Sequence, residues 1–76
     1  MIHHIPGMVL REYLGELAVS AAATHLRVTH VTLSPVLNAK AGISAVMAIR
    51  LAAALGTTPE LWMNIQSQYD LWRAQQ

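Results

Sequence analysis

Apolar residues recur three and four positions apart along almost the whole chain, a pattern that predicts α-helices throughout and no β-strands. A first helix is predicted from about Gly7 to Leu17, opened by Pro6 and Gly7. Its predicted apolar stripe consists of Val9, Leu10, Tyr13, Leu14 and Leu17.

Two shorter helices are predicted between Val19 and Asn38, joined by a tight turn. Ser20 and Thr29 are the polar residues expected to cap their N-termini by accepting backbone N–H bonds. The inner face shared by the two helices is predicted from apolar spacing and consists of Ala22, Ala23, Leu26, Val28, Leu33, Val36 and Leu37. Two short helices joined in this way predict a helix-turn-helix, although any antiparallel helix pair shows the same inner spacing.

The second half of the chain predicts two more helices. Ser44 is expected to cap a fourth helix that runs to about Leu55 and is closed by Gly56. Thr58 and the proline after it predict the start of a fifth helix, about residues 58 to 74. Residues 39 to 43 form a short connection in which Gly42 is expected to take a left-handed conformation.

The outward side of the third helix is the candidate functional surface. In a helix-turn-helix, this side of the second helix meets base edges and phosphates in the major groove. The candidate DNA-binding residues are therefore Thr29, His30, Val31, Ser34, Asn38 and the nearby cation Lys40. Each has a plainer interpretation, because Thr29 can act only as a cap and the others can be solvated or bonded locally.

Pro35 lies within the predicted third helix, on its outward side. A proline there removes the backbone bond to the carbonyl of Val31, at a cost of about 3 kcal/mol in a helix interior. One expectation is a third helix that is kinked but held by packing at both ends. The other is a shortened helix that starts late, with Ser34 as its N-cap, which would compromise base reading.

Length and composition narrow the class of protein. The chain has 76 residues, 54% of them hydrophobic and 12% charged, with a formal net charge of +1. A domain of this size buries only about 60% of its unfolded surface and gains from assembly. The absence of cysteine fits a cytoplasmic protein, and neither a secretion signal nor a membrane-spanning run is predicted.

The polar residues predict neither an enzyme nor a metal or cofactor site. The four acidic residues do not combine with serine and histidine into a relay, and no glycine-rich phosphate loop occurs. The adjacent histidines His3 and His4 point in different directions, while His25 and His30 flank the predicted turn. A structural zinc site requires four convergent ligands, so no metal is expected.

Four segments carry a recognisable motif, and together they cover most of the chain. They are IPGMVLREYL at residues 5 to 14, KAGIS at 40 to 44, MAIRLAAALGTTPELW at 47 to 62 and NIQSQYDLW at 64 to 72. These segments closely resemble the HigA-type antitoxins of bacterial toxin–antitoxin pairs. The resemblance implies a single all-α, five-helix domain of the lambda-repressor-like helix-turn-helix class.

The same resemblance implies partners. Proteins of this type are typically homodimers that bind operator DNA, repress their own operon and neutralise a RelE-like ribonuclease toxin. The chain departs from their pattern at Met8 and Val46, where acidic residues are frequent. It also departs at Arg27, where the turn favours glycine, and at Pro35, where a polar or basic residue is usual.

The fifth helix carries both tryptophans and is expected to extend past so small a domain. Its exposed apolar residues are predicted to pack a two-fold dimer, with toxin contact as the alternative and the intramolecular core as the plainer interpretation. The candidate interface consists of Trp62, Ile65, Tyr69, Leu71 and Trp72.

Three hypotheses therefore remain open. The chain is a DNA-binding antitoxin that represses its own operon, or a toxin-binding or dimerisation module whose DNA binding is weakened because Pro35 interrupts the recognition helix. The third hypothesis is a stand-alone transcriptional repressor without a toxin.

Overall fold

The computed structural model describes residues 5–76, which form five α-helices and contain no strand. The all-α, five-helix prediction is confirmed. The helices are α1 (Pro6–Leu14), α2 (Val19–Leu26), α3 (His30–Leu37), α4 (Ala45–Leu55) and α5 (Pro59–Ala74).

The first helix ends three residues earlier than predicted. Gly15 has a φ of 63°, a left-handed conformation that glycine adopts without a Cβ penalty, and it ends the helix after Leu14. Leu17 lies past this end and is 41% exposed, while Tyr13, within the helix, is 48% exposed, so both are less buried than the predicted apolar stripe suggests.

Three of the four predicted N-caps are confirmed. The hydroxyls of Thr29, Ser44 and Thr58 each accept a backbone N–H bond from the residue three positions later. The prediction for Ser20 is wrong, because α2 begins one residue before it and its N-cap is Ala18, which makes no side-chain cap bond.

All five helices contribute large side chains to one core. The largest fully buried side chains are Trp62, Leu10, Leu26, Leu33 and Leu51, which come from all five helices. Trp62 is held at both ends of its indole, because Nε1 donates to Thr57 Oγ1 at 2.7 Å and the ring of Tyr13 packs edge-on at 5.2 Å. Trp62 therefore fixes α5 against α1 and α4.

The turn between α2 and α3 is built on a left-handed residue. Arg27 has φ 59° and ψ 40°, as its place in the turn predicted, and the N–H of Val28 bonds the carbonyl of Ala23 at 3.0 Å. This arrangement directs α3 across α2 and buries Leu33 and Val36 beneath it. Within residues 5–76, no helix has the length and apolar character needed to cross a membrane.

Candidate nucleic-acid interface

The third helix is continuous from its cap at Thr29 to Leu37, with Pro35 inside it. Thr29 Oγ1 accepts the N–H of Thr32 at 3.1 Å and lies 2.8 Å from the Thr32 hydroxyl. Since the helix begins at His30, the expectation of a late start with Ser34 as N-cap is wrong. The surface predicted to read DNA therefore belongs to a helix over its full length.

The proline is placed where its missing donor does least harm. At 100° per residue, Val31 and Pro35 lie on the side of α3 opposite the buried Leu33 and Val36. The carbonyl that loses its helical partner belongs to Val31, whose residue is 80% exposed. Solvent can therefore satisfy this carbonyl, which lowers the cost of proline below that in a buried helix.

The outward surface of α3 holds the candidate DNA-binding residues together. Val31 lies near its centre, His30 and Ser34 lie toward one side, and Asn38 is the C-cap at its end; all except the half-buried Ser34 are exposed. Asn38 Nδ2 donates to Ser34 Oγ at 3.3 Å, so these two side chains are already paired with each other. Val31 and Pro35 offer no hydrogen-bonding side chain at the centre of this surface.

Lys40 lies in the α3–α4 loop, which we define as residues 38 to 44. Its N–H bonds the carbonyl of Pro35 at 2.8 Å, while the N–H of Ala39 bonds that of Val36 at 3.3 Å. This pair of bonds is a Schellman motif, which requires a left-handed residue just past the helix. Ala39 is that residue, at φ 59°.

The predicted left-handed conformation of Gly42 is therefore wrong, because its φ is not positive and Ala39 makes the turn instead. Gly42 has a different reason to be glycine. A Cβ built on it would lie 3.1 Å from Nε2 of Gln66, a side chain of α5. Gln66 is the one buried polar residue in the described chain, and sequence reasoning missed its contact with this loop.

The arginines contact other parts of the chain or line grooves. Arg11 donates to the carbonyl of Leu17 at 2.8 Å, and the guanidinium of Arg73 lies 5.8 Å from the ring centroid of Tyr69. Arg27 and Arg50 line a groove of about 630 Å³ between α2 and α4, and Arg73 lines a second groove, of about 320 Å³, together with Lys40. Lys40 is exposed and lies two residues past Asn38, so it is the cation that directly follows the candidate residues of α3 in the chain.

The described residues contain no group of three or more histidine, cysteine, aspartate or glutamate side chains that could hold a metal. His25 Nε2 lies 3.3 Å from the carbonyl of Ala54 and, facing a carbonyl, acts as the donor. His3 and His4 lie outside the described residues.

The five candidate interface residues of α5 do not share one surface. Trp62 is fully buried within the chain, so its assignment to a dimer interface is wrong. Ile65 is half-buried against the same core, and Tyr69 and Trp72 are also half-buried, with ring centroids 6.1 Å apart. Leu71 is 62% exposed and lies about 200° around the helix from Tyr69.

The fold and this surface define a helix-turn-helix domain of the DNA-binding class. No family model matches the chain. The chain is 35% identical, over 96% of its length and 80% of the relative's, to an HTH-type transcriptional regulator, YddM, of Escherichia coli. Three further curated relatives are longer, and the chain spans 60% to 64% of their length.

Solved structures give the family a name. An addiction module antidote protein of the HigA family from Coxiella burnetii superposes with a TM-score of 0.92 at 38% identity, covering 97% of this chain and 84% of that one. The Pseudomonas aeruginosa antitoxin HigA, solved with the higBA promoter, has a TM-score of 0.89 at 39% identity, covering 96% and 83%. The chain belongs to the HigA family of helix-turn-helix antitoxins. Its relatives are antitoxins and transcriptional regulators, which confirms the prediction that it is not an enzyme.

Proposed function

We propose that this antitoxin binds operator DNA as a homodimer, represses its own operon and neutralises a RelE-like ribonuclease toxin in the cytoplasm. The observation that carries the DNA-binding part is the continuous, capped α3, with its inner face buried and Val31 80% exposed on its outward side. The promoter complex of the related Pseudomonas aeruginosa antitoxin supports the same conclusion.

In this proposal, α3 enters the major groove with His30, Val31, Ser34 and Asn38 toward the bases, while Thr29 and Lys40 contact phosphates. Lys40 is exposed and lies just past the helix, where a cation can reach the strand bordering the groove. Helix-turn-helix dimers place two such helices about one DNA turn apart, so two copies are needed for tight binding.

The test is a fluorescence anisotropy titration of the duplex upstream of its own gene at several salt concentrations. Lys40→Ala is expected to weaken binding and to reduce the magnitude of the salt slope by about 2, the signature of one lost phosphate contact in each protomer of the dimer. Arg50→Ala is the matched control, because it removes a cation from the groove between α2 and α4 and should leave that slope unchanged. Equal effects of the two substitutions would contradict the assignment of Lys40.

We propose that the outer part of α5 forms the dimer contact. Leu71 is 62% exposed, and Trp72 is half-buried beside it on the same helix. Trp72→Ala is expected to shift the chain toward monomer in sedimentation equilibrium at micromolar concentration. Ile49→Ala is the control, since Ile49 is 59% exposed on α4. A natural chain that sediments as a monomer would refute this contact.

The toxin contact is tested separately from DNA. Co-expression with a small basic ribonuclease encoded beside the chain is expected to relieve growth arrest and to yield a complex that co-purifies. The absence of such a neighbouring gene, with operator binding intact, would favour the stand-alone repressor.

One observation favours the second candidate function, a toxin-binding module that reads DNA weakly. Val31 and Pro35 occupy the centre of the outward surface and provide no hydrogen bond to a base edge. Because α3 is continuous, an interrupted helix is not the cause of weak DNA binding in this second function. The cause is the missing side-chain contact to a base edge. If Pro35→Arg creates tight, salt-sensitive binding that the natural chain lacks, the second function is correct. Binding by the natural chain at physiological salt would exclude it.

A further inference from the structure

The α3–α4 loop is fixed at two points, one at Lys40 and Ala41 and the other at Ile43. At the first point, the carbonyl of Pro35 accepts the N–H groups of Lys40 and Ala41, at 2.8 and 3.2 Å. At the second point, the N–H of Ile43 donates to Oε1 of Gln66 at 2.8 Å. The first anchor belongs to the recognition helix itself, whereas the second comes from α5.

The amide of Gln66 is held in one orientation. Its Oε1 faces a backbone donor, and its Nε2 donates to Asp70 Oδ1 at 2.9 Å, one helical turn further along α5. An N–H requires an oxygen and a carboxylate requires an N–H, so a flipped amide would lose both bonds. Gln66 is 9% exposed, and water therefore offers little replacement for either bond.

The loop is also packed closely onto this side chain. A Cβ at Gly42 would lie 3.1 Å from Nε2 and 3.2 Å from Cδ of Gln66, and Ile43 is only 3% exposed. The path of the backbone three residues after Lys40 is therefore determined by a residue of α5. Ile43 and Gln66 are 23 residues apart in the sequence, so a local sequence pattern does not predict their contact.

We propose that Gln66, oriented by Asp70, is a positioning residue for DNA binding, because it holds the α3–α4 loop where Lys40 meets a phosphate. This inference rests on the proposed role of Lys40. Gln66 acts through the backbone of the loop, by its hydrogen bond to Ile43 and its close packing against Gly42.

A charge-neutral exchange tests this role. Gln66→Glu keeps an acceptor for Ile43 but places a carboxylate about 3 Å from that of Asp70, where like charges repel. Adding Asp70→Asn restores the bond with donor and acceptor exchanged, and it restores the natural net charge of the pair. Gln68→Glu is the matched control, because it adds the same charge at an exposed position of α5.

Anisotropy with the operator duplex and the amide signal of Ile43 are measured for each variant. Gln66→Glu is expected to lose about a hundredfold in affinity, the scale of one charge-assisted contact in each protomer of the dimer, and the magnitude of its salt slope should fall by about 2. The operator affinity of Gln68→Glu should fall by less, and its salt slope should equal that of the natural chain. The double variant should recover to within about twofold of the natural affinity if the pair acts as a unit.

Several outcomes would overturn the inference. One is a folded Gln66→Glu whose operator affinity and salt slope equal those of Gln68→Glu. Another is a double variant whose operator affinity does not return toward that of the natural chain. If Gln66→Glu does not fold, Asp70→Ala replaces it, since Asp70 is exposed and only orients the amide; an unchanged affinity would then overturn the proposal. If Lys40→Ala weakens binding and Gln66→Glu does not, this inference alone fails. If the natural chain does not bind the operator, the proposed function fails with it, and if Lys40→Ala binds like the natural chain, the proposed role of Lys40 fails.

Discussion

Ala39→Gly should stabilise the protein, although it removes a methyl group and introduces the most flexible residue. Ala39 has φ 59°, a left-handed conformation that costs an L-residue about 1–2 kcal/mol. Glycine removes this strain but adds conformational freedom to the unfolded chain, which costs about 0.4–1 kcal/mol. The difference is a net gain of roughly 0.5–1 kcal/mol.

Ala41→Gly is the matched control, because it makes the same chemical change two residues later in the same loop. Ala41 is exposed and its φ is not positive, so glycine there relieves no strain. Only the added conformational freedom of the unfolded chain remains, so the control should lose about 0.4–1 kcal/mol of stability. The two substitutions are therefore expected to have opposite signs.

Thermal unfolding followed by far-ultraviolet circular dichroism measures both variants at one fixed protein concentration, since dimerisation makes the midpoint concentration-dependent. For a domain of this size, 1 kcal/mol shifts the midpoint by about 4–8 °C. Ala39→Gly should raise Tm by about 2–8 °C and Ala41→Gly should lower it. If both lower Tm equally, residue 39 is not left-handed in solution and the Schellman motif that places Lys40 is wrong.

Four further substitutions have definite expected outcomes. Pro35→Ala should stabilise the protein by up to about 3 kcal/mol in urea denaturation, because it returns a backbone N–H donor to the helix interior. An unchanged midpoint would mean that α3 has no α-helical hydrogen bonding at this position. Leu33→Ala should lower the free energy of unfolding by about 2–5 kcal/mol, because Leu33 is 0% exposed, whereas Val31→Ala should lower it by less than about 0.5 kcal/mol, because Val31 is 80% exposed. Similar losses for the two variants would contradict the orientation of α3. Arg27→Gly should raise Tm in thermal unfolding as Ala39→Gly does, and a fall would exclude its left-handed turn.

Local chemistry predicted the helices well where a residue has one structural use. Thr29, Ser44 and Thr58 cap helices as expected, and Gly56 ends α4 with φ 70°. Ser20 failed because a serine can also lie within the first turn of a helix, and Ala18 met the requirement of the cap by its extended backbone alone.

The α3–α4 loop and α5 were harder to predict, because the side chains that fit there depend on contacts with residues far away in the sequence. Gly42 suggested a left-handed turn, yet it is glycine because Gln66 of α5 packs against it. Trp62 was placed at an interface by its aromatic character, but the space between α1 and α4 buries it completely. Neither contact leaves a periodic signal in the sequence.

DNA reading by α3 is tested most directly by amide chemical-shift mapping of the protein as its own upstream duplex is added, with a scrambled duplex of equal length as control. The largest sequence-specific shifts are expected at Val31, Ser34, Asn38 and Lys40, and they should saturate at two chains per duplex. Shifts confined to the groove between α2 and α4, or identical shifts with both duplexes, would contradict the claim that α3 reads the operator.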